Sequence, residues 1–114
     1  MTEDCVFCRI ISGEIASQRV YEDDKVIAIP DINPMAPVHI LIIPKTHIGK
    51  LDRLSIHESK IAQYCLSVVP VIAEAKGILG NGYRVVINQG KNSGQEIQHL
   101  HLHLLGGRNL NGMG

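Results

Sequence analysis

The sequence predicts an α+β fold, in which an antiparallel sheet of five strands packs against a short N-terminal helix and one long helix. Two observations lead to this prediction. Short apolar segments bounded by turn residues recur along the chain, which is typical of strands. One stretch after Ser55 instead places its apolar residues at helical spacing. With 114 residues, the chain is expected to form a single domain over residues 1–114.

The N-terminal part of the chain predicts a short helix followed by a hairpin. Residues 5–12 favour a helix that Gly13 ends. Residues 20–22 and 25–29 have the character of two strands, and the acidic pair Asp23-Asp24 between them forms a tight turn. We therefore expect these two segments to pair with each other.

The remaining strand candidates lie on both sides of the long helix. Residues 30–37 include three prolines and predict a loop. Residues 38–43 are apolar and largely β-branched, which favours a central strand that Pro44 ends. Residues 83–89 predict a further strand, and the glycine-bearing residues 90–94 predict a loop.

The long helix has a clear beginning. Ser55 and Glu58 have the spacing of a capping box. The apolar spacing that follows predicts a helix as far as Gly80, with a kink or a break at Pro70. A second apolar stripe predicts that the helix is buried on two sides. The two stripes consist of Ile61, Cys65, Val68, Ile72, Ala75 and Leu79, and of Leu66, Val69 and Ala73.

Three histidines alternate with leucines near the C-terminus. In a strand, alternate side chains point to opposite faces. His99, His101 and His103 would then line one face, and the intervening leucines the other. A buried imidazole needs a hydrogen-bond partner, so three on one face indicate a site that uses them.

Composition excludes several classes of protein. Eleven basic residues balance eleven acidic ones, so nothing indicates a nucleic-acid partner. No apolar run is long enough to span a membrane, and no secretion signal is evident. An odd number of cysteines, three, suits a reducing compartment, so the expected location is the cytoplasm.

The segment from His99 to Leu105 resembles the signature of the histidine triad (HIT) family, and the following Gly106-Gly107-Arg108 is similar to its nucleoside phosphoramidase branch. The resemblance implies a HIT-like fold of five strands and two helices that pairs into a dimer with a continuous ten-stranded sheet. Further matching segments are residues 7–11, 22–23, 31–37, 39–45 with His47, and 82–90.

The same resemblance implies an activity and its histidines. A purine nucleoside 5′-phosphoramidate, such as adenosine 5′-monophosphoramidate, would be hydrolysed through a covalent nucleotidyl-histidine. The resemblance assigns the attack to His101 and a phosphate contact to His103, and His39 would support the ring of the nucleophile. His99 completes the histidine set. From the residues alone, His39 is as readily a hydrogen-bonded core histidine.

A polar loop before the triad is a candidate phosphate site, because its backbone N–H groups can surround an anion. The resemblance implies phosphate contacts from Asn88, Gly94, Gln95 and the backbone of Glu96. The animal phosphoramidases usually carry serine where this chain has Glu96. A carboxylate there would repel phosphate unless it is protonated or turned away.

The nucleoside end is expected near Asp31, which the resemblance assigns to both ribose hydroxyls. From the residues alone, Asp31 is a loop-initiating aspartate before Asn33-Pro34. The resemblance also implies a base pocket, although the same apolar residues are typical of a core. They are Val6, Phe7, Ile10, Ile29 and Ile32.

Cys5 and Cys8 have the spacing of zinc ligands, with a redox pair or an inert buried pair as alternatives. Zinc needs four ligands, and His47 and His99 are candidates for the other two. The resemblance to the wider superfamily, which includes galactose-1-phosphate uridylyltransferases, implies a structural zinc at these four positions. No cofactor is then required for the chemical step.

Three other functions stay open at the level of sequence. The chain could be a dinucleoside polyphosphate hydrolase of the same family. It could be a metallohydrolase, because His-x-His on a strand can also bind a metal that activates water. It could also be a regulatory or scaffold protein that keeps a nucleotide pocket and works through partners.

Overall fold

The computed structural model describes residues 5–113. Its five strands form one antiparallel sheet in the order β1-β2-β3-β5-β4. The predicted α+β architecture is therefore confirmed. The strands are β1 Tyr21–Glu22, β2 Val26–Pro30, β3 Val38–Pro44, β4 Tyr83–Val86 and β5 Leu102–Gly106, and the helices are α1 Val6–Ser12 and α2 Ile56–Ala75.

Helix α1 begins and ends where the sequence predicts. Cys5 is its N-cap, and the Cys5 Sγ accepts a hydrogen bond from the backbone N–H of Cys8 at 3.4 Å. Gly13 ends the helix with φ of 87°, a left-handed conformation that glycine adopts without steric cost. The cap brings the thiols of Cys5 and Cys8 to the same end of the helix.

The predicted hairpin is confirmed as β1 and β2. Asp23 makes the turn, since its Oδ1 accepts the backbone N–H groups of Lys25 and Val26 at 2.8 and 2.9 Å. Its Oδ2 accepts the hydroxyls of Tyr21 and Tyr64, and Tyr64 lies on α2. One carboxylate therefore connects the hairpin to the long helix.

Helix α2 has the predicted capping box between Ser55 and Glu58 and continues unbroken through Pro70. The predicted end at Gly80 is wrong. The helix ends at Ala75, because Gly77 takes φ of +74° and the N–H of Ile78 turns back to the carbonyl of Ala73. Five side chains of α2 are buried, namely Cys65, Val68, Val69, Ile72 and Ala73.

Both stripes of α2 are only partly buried. Leu66, Ala75 and Leu79 were expected on apolar faces but are exposed. The remaining members are buried or half-buried against the sheet. Whether a second copy of the chain covers the exposed members stays a prediction.

The triad strand is shorter than predicted. Strand β5 begins at Leu102, so His99 and His101 precede it. Pairing with β3 stops at Ile42 opposite Leu102. Beyond that point, the carbonyl of Pro44 lies 2.9 Å from the side chain of His99. Strand β4 is also shorter than expected and ends at Val86.

The core has two parts, one on each face of the sheet. One part lies under α2 and includes Leu100, Leu102 and Leu104. The other contains Phe7 and Ile10 of α1 with inward residues of β2 and β3. Among residues 5–113, no helix has the length and apolar character needed to cross a membrane.

Candidate active site and metal centre

The predicted alternation of the triad is present, although the strand is short. The three leucines belong to the core under α2. On the opposite face, the ring of Phe7 meets His99 and His101 edge-on, with centroids 5.8 and 5.0 Å apart. The rings of His101 and His103 are 5.1 Å apart. Two of these histidines, His99 and His101, are buried.

His101 is held in one tautomer by the backbone. Its Nδ1 lies 2.7 Å from the carbonyl oxygen of His99. A carbonyl only accepts, so Nδ1 carries the proton and donates. In the neutral ring, Nε2 then keeps a free lone pair, which is the form required of a nucleophile.

His39 and His103 form a second hydrogen-bonded unit. The backbone N–H of Met35 donates to Nδ1 of His39 at 3.1 Å, so the proton of this neutral ring is on Nε2. That Nε2 lies 2.9 Å from Nδ1 of His103 and donates to it. By the same reasoning, Nε2 of His103 carries a proton that it can donate outward.

Burial keeps this second pair neutral. Burial lowers the pKa of His39, although the nearby Asp31 opposes this effect. Burial, followed by repulsion from His101 and His39, lowers the pKa of His103 to about 4. A neutral pair can hold the two tautomers described above at pH 7. The resemblance implies that His39 supports the nucleophile ring, which stays a prediction, and the hydrogen bond of its Nε2 goes to His103.

Asp31, His39 and His103 together place three potential metal-binding atoms within 4.8 Å. Oδ2 of Asp31 is 3.4 Å from Nε2 of His39. A metal on this Nε2 would displace its proton to Nδ1, against the N–H of Met35. The hydrogen bonds of His39 and His103 therefore favour two protonated Nε2 atoms, a chain of donors that we call the relay. This argues against a metal that activates water at these residues.

A separate cluster contains Cys5, Cys8, His47 and His99, whose ligand atoms all lie within 4.8 Å of one another. Nδ1 of His99 is 3.3 Å from the Sγ of Cys5, 3.6 Å from the Sγ of Cys8 and 3.1 Å from Nδ1 of His47. Cys8 Sγ and His47 Nδ1 are 3.3 Å apart. Ligand atoms from three separate parts of the sequence thus converge on one point.

The protonation states suit a metal. Nε2 of His99 donates to the carbonyl of Pro44 at 2.9 Å, which leaves the Nδ1 lone pair facing the cluster. Burial lowers the pKa of His99 to about 4, so its ring is neutral. Burial and the neighbouring Cys5 raise the pKa of the Cys8 thiol to about 11, so a bound cation is needed to make it a thiolate at neutral pH.

The loop before the triad is braced by its own side chains. Oε1 of Gln95 accepts the N–H of Gly90 at 2.7 Å, and its Nε2 donates to the carbonyl of Ile97 at 3.2 Å. Nδ2 of Asn88 donates to the carbonyl of Ser93 at 2.8 Å. The loop contains a short 3₁₀ turn, Lys91–Ser93, that ends at Gly94 with φ of 83°. Glu96 is exposed.

The residues expected at the nucleoside end divide into two groups. Asp31 is half-buried, and its Oδ1 accepts the N–H of Asn33 at 2.8 Å. Ile32, next to it, is 92% exposed, and Val6 is also exposed. The other three are buried in the core beneath α1, namely Phe7, Ile10 and Ile29.

Three backbone groups of this site could not be predicted from the sequence. They are the carbonyls of His99 and Pro44 and the N–H of Met35, which set the proton positions of three histidines. No residue type signals them, because any residue can supply a backbone carbonyl or N–H. Only the tertiary structure brings Pro44 to His99 across 55 positions.

Comparisons with known proteins agree with this geometry. The family model described as "HIT domain" matches residues 12–110. The purine nucleoside phosphoramidase of Escherichia coli K12 is 44% identical over 99% of this chain and 95% of its own length. A 14 kDa zinc-binding protein of Zea mays is 50% identical over 93% of this chain and 84% of its own. The crystal structure of a HIT family hydrolase from Legionella pneumophila has a TM-score of 0.90 and 43% identity, covering 94% of this chain and 96% of that one.

Proposed function

This chain belongs to the HIT family, and we propose that it hydrolyses purine nucleoside 5′-phosphoramidates to the nucleoside monophosphate through a covalent intermediate on His101. The observation that carries this proposal is the hydrogen bond from His101 Nδ1 to the carbonyl of His99, which frees Nε2. The name and the identity of the Escherichia coli relative support the phosphoramidate as substrate.

The reaction has two displacements at phosphorus. Nε2 of His101 forms the first bond, and the phosphorus–nitrogen bond breaks as the amine takes up a proton and leaves. Water then attacks the nucleotidyl-histidine, which releases the monophosphate and regenerates the free ring. Each step avoids the direct attack of water on the phosphoramidate.

His103 is proposed to stabilise charge on the reacting phosphate. The relay from Met35 through His39 leaves a proton on Nε2 of His103, which can donate to an equatorial oxygen. The braced loop is proposed to present backbone N–H groups of Gly94, Gln95 and Glu96 to the same phosphate. Asn88 acts here by supporting the loop at Ser93.

Asp31 is proposed to bind the ribose hydroxyls, because Oδ2 is not engaged by the turn that Oδ1 makes with Asn33. The base would lie against Ile32 and Val6, which are apolar and exposed. Phe7, Ile10 and Ile29 would form the buried floor beneath them.

The cluster of Cys5, Cys8, His47 and His99 is proposed to bind one structural zinc ion. A tetrahedral zinc with two sulfur and two nitrogen ligands spaces those atoms about 3.3–3.8 Å apart. Four of the six separations in the cluster are 3.1 to 3.6 Å, which is close to this range. The name of the maize relative, a zinc-binding protein, supports zinc in particular. All four positions of the tetrahedron would be filled, so the ion would order His99 rather than touch substrate.

A homodimer is also proposed. Strand β4 lies at one edge of the sheet, where its outer backbone groups can pair with a second copy. Exposed apolar side chains accompany it on α2 and around β4. They are Leu66, Val71, Leu79, Tyr83 and Ile87. Cys5, Cys8 and Cys65 form no disulfide, which suits the reducing cytoplasm as the place where we propose that the protein acts.

A hydrolysis panel tests the activity directly. Adenosine and guanosine 5′-phosphoramidates are compared with dinucleoside polyphosphates at equal concentration, with and without a chelator. We expect the phosphoramidates to be cleaved faster than the dinucleoside polyphosphates. We also expect the initial rate to be unchanged after a brief exposure to chelator. Preferred cleavage of the polyphosphates would favour the alternative substrate class, and immediate loss of activity with chelator would favour a metallohydrolase. Tight nucleotide binding without turnover would favour a regulatory protein.

A further inference from the structure

Arg108, which follows β5, is hydrogen-bonded to the loop between β2 and β3, the loop whose Met35 also contacts His39. Nη2 of Arg108 donates to the carbonyl of Met35 at 2.8 Å, across 73 positions of sequence. Its Nη1 donates to the carbonyl of Asn109 at 2.8 Å. The guanidinium is thus fixed at both ends, and one of its two backbone partners belongs to the loop between β2 and β3.

Gly107 allows this approach. It has φ of +95°, and a Cβ at this position would lie 3.0 Å from Cβ of Pro37. Any other residue would strain the backbone and would require Pro37 to move by a few tenths of an ångström. Gly106, by contrast, lies against Ile78, whose Cδ1 would be 2.8 Å from an added Cβ. Gly107 and Arg108 therefore form a clamp on the loop.

Met35 is the point at which the clamp meets the site. Its carbonyl accepts from Arg108, and its N–H donates to Nδ1 of His39. Nε2 of His39 in turn donates to Nδ1 of His103. Three consecutive hydrogen bonds connect the exposed Arg108 to the buried end of the His103 ring.

We propose that Arg108 is a positioning residue that, by holding Met35, keeps His39 and His103 in the tautomers needed to donate a proton toward phosphate. If Met35 shifts, Nδ1 of His39 loses its donor and the ring is free to carry its proton there instead. Nε2 of His39 would then accept from Nδ1 of His103, and Nε2 of His103 would become an acceptor. An acceptor repels a phosphate oxygen, so the unit would oppose the reaction it now assists.

This inference rests on the proposed function for its kinetic effect, but the tautomers are measurable without any substrate. Two variants test this. Arg108→Met keeps a long side chain but has no hydrogen-bond donor, whereas Arg108→Lys keeps a charged donor group. Arg53→Met is the control, because it removes the same charge from the loop between β3 and α2. Long-range ¹H–¹⁵N spectra of the histidine rings report the protonated nitrogen of His39 and His103.

We expect Arg108→Met to shift the ring nitrogen signals of His39 and His103 toward the opposite tautomers. Loss of one hydrogen bond in the chain should lower kcat about three- to tenfold, with KM changed less than about twofold. Arg108→Lys should recover part of both effects, and Arg53→Met should show neither. If His39 and His103 keep their signals in a folded Arg108→Met protein, the proposal is overturned.

The two proposals fail in different ways. If the unmodified protein cleaves no phosphoramidate, the proposed function is wrong, and the ring spectra still decide the role of Arg108. If Arg108→Met loses activity with unchanged ring spectra and equal loss in Arg53→Met, the arginine contributes only general stability, which also overturns the inference.

Discussion

If zinc binds the cluster of Cys5, Cys8, His47 and His99 as proposed, its removal should lower the melting temperature of the protein. The ion would join α1 to the chain just before β5, two segments that also meet through the contacts of Phe7 with His99 and His101. Without a cation, Nδ1 of His47 can carry a proton and donate it to the lone pair of Nδ1 of His99 at 3.1 Å, so only hydrogen bonds would then connect the four residues. His99 is fully buried, so the stabilisation that the ion adds acts within the core.

The expected loss is large for a chain of this size. A metal that binds only the folded state, at a free concentration a thousandfold above its Kd, contributes about 4 kcal/mol. For a domain of about 100 residues, each kcal/mol corresponds to roughly 4 °C or more in Tm. Chelation should therefore lower Tm by about 15 °C.

The assay is metal analysis and thermal melting of protein purified without chelator. We expect one zinc ion per chain, and a Cys8→Ser variant should have low Tm with no further response to chelator. Cys65→Ala is the matched control, because Cys65 lies on the buried face of α2 and outside the cluster. The stability that this variant loses should be the same with and without chelator. Absence of bound zinc, together with unchanged melting of Cys8→Ser, would refute the metal site.

Three further predictions follow from named contacts. Asp31→Ala should weaken binding of a ribonucleotide more than that of its 2′-deoxy analogue, since each hydrogen bond from a hydroxyl to the carboxylate contributes about 1.5–3 kcal/mol; equal losses by calorimetry would remove Asp31 from the ribose site. Sedimentation at micromolar concentration should give a dimer mass, and Leu66→Glu should shift it to monomer; a monomeric unmodified protein would contradict the proposed interface. Burial raises the pKa of Asp23, but hydrogen bonds from Tyr64, two backbone N–H groups and Tyr21 outweigh it and lower the pKa to about 2. A lowered pKa means that Asp23 stabilises the fold above pH 4 and loses this effect as the pH falls toward 2. Asp23→Asn should thus cost about 1–3 kcal/mol at pH 7 in denaturant titrations, and the difference should vanish at low pH.

Local signals in the sequence were sufficient for several elements. Gly13 and the Ser55–Glu58 capping box mark helix boundaries, because each acts on backbone groups within a few residues. The alternation of His and Leu from 99 to 104 also gave the correct faces, although β5 begins only at Leu102. A period of two predicts orientation, and it contains no information on where a neighbouring strand ends.

The sequence does not directly show features that depend on a backbone turn or on contacts between distant segments. The end of α2 depends on the backbone turn at Gly77 rather than on the apolar spacing that continues to Leu79. The hydrogen bond of His39 to His103 follows from the register of β3 and β5, in which Leu41 opposes His103. Cys5, Cys8, His47 and His99 were named together from the resemblance, but their convergence is visible only in three dimensions.

The most direct test of the account is a search for nucleotide covalently bound to His101. The protein is mixed with an adenosine 5′-phosphoramidate, quenched rapidly in alkaline denaturant and analysed by intact mass and by fragmentation. We predict a transient adduct of one adenylyl group on His101, and His101→Ala should bind the nucleotide normally but form no adduct and release no product. Turnover retained in His101→Ala, or an adduct on another residue, would contradict the assignment of His101 as the nucleophile.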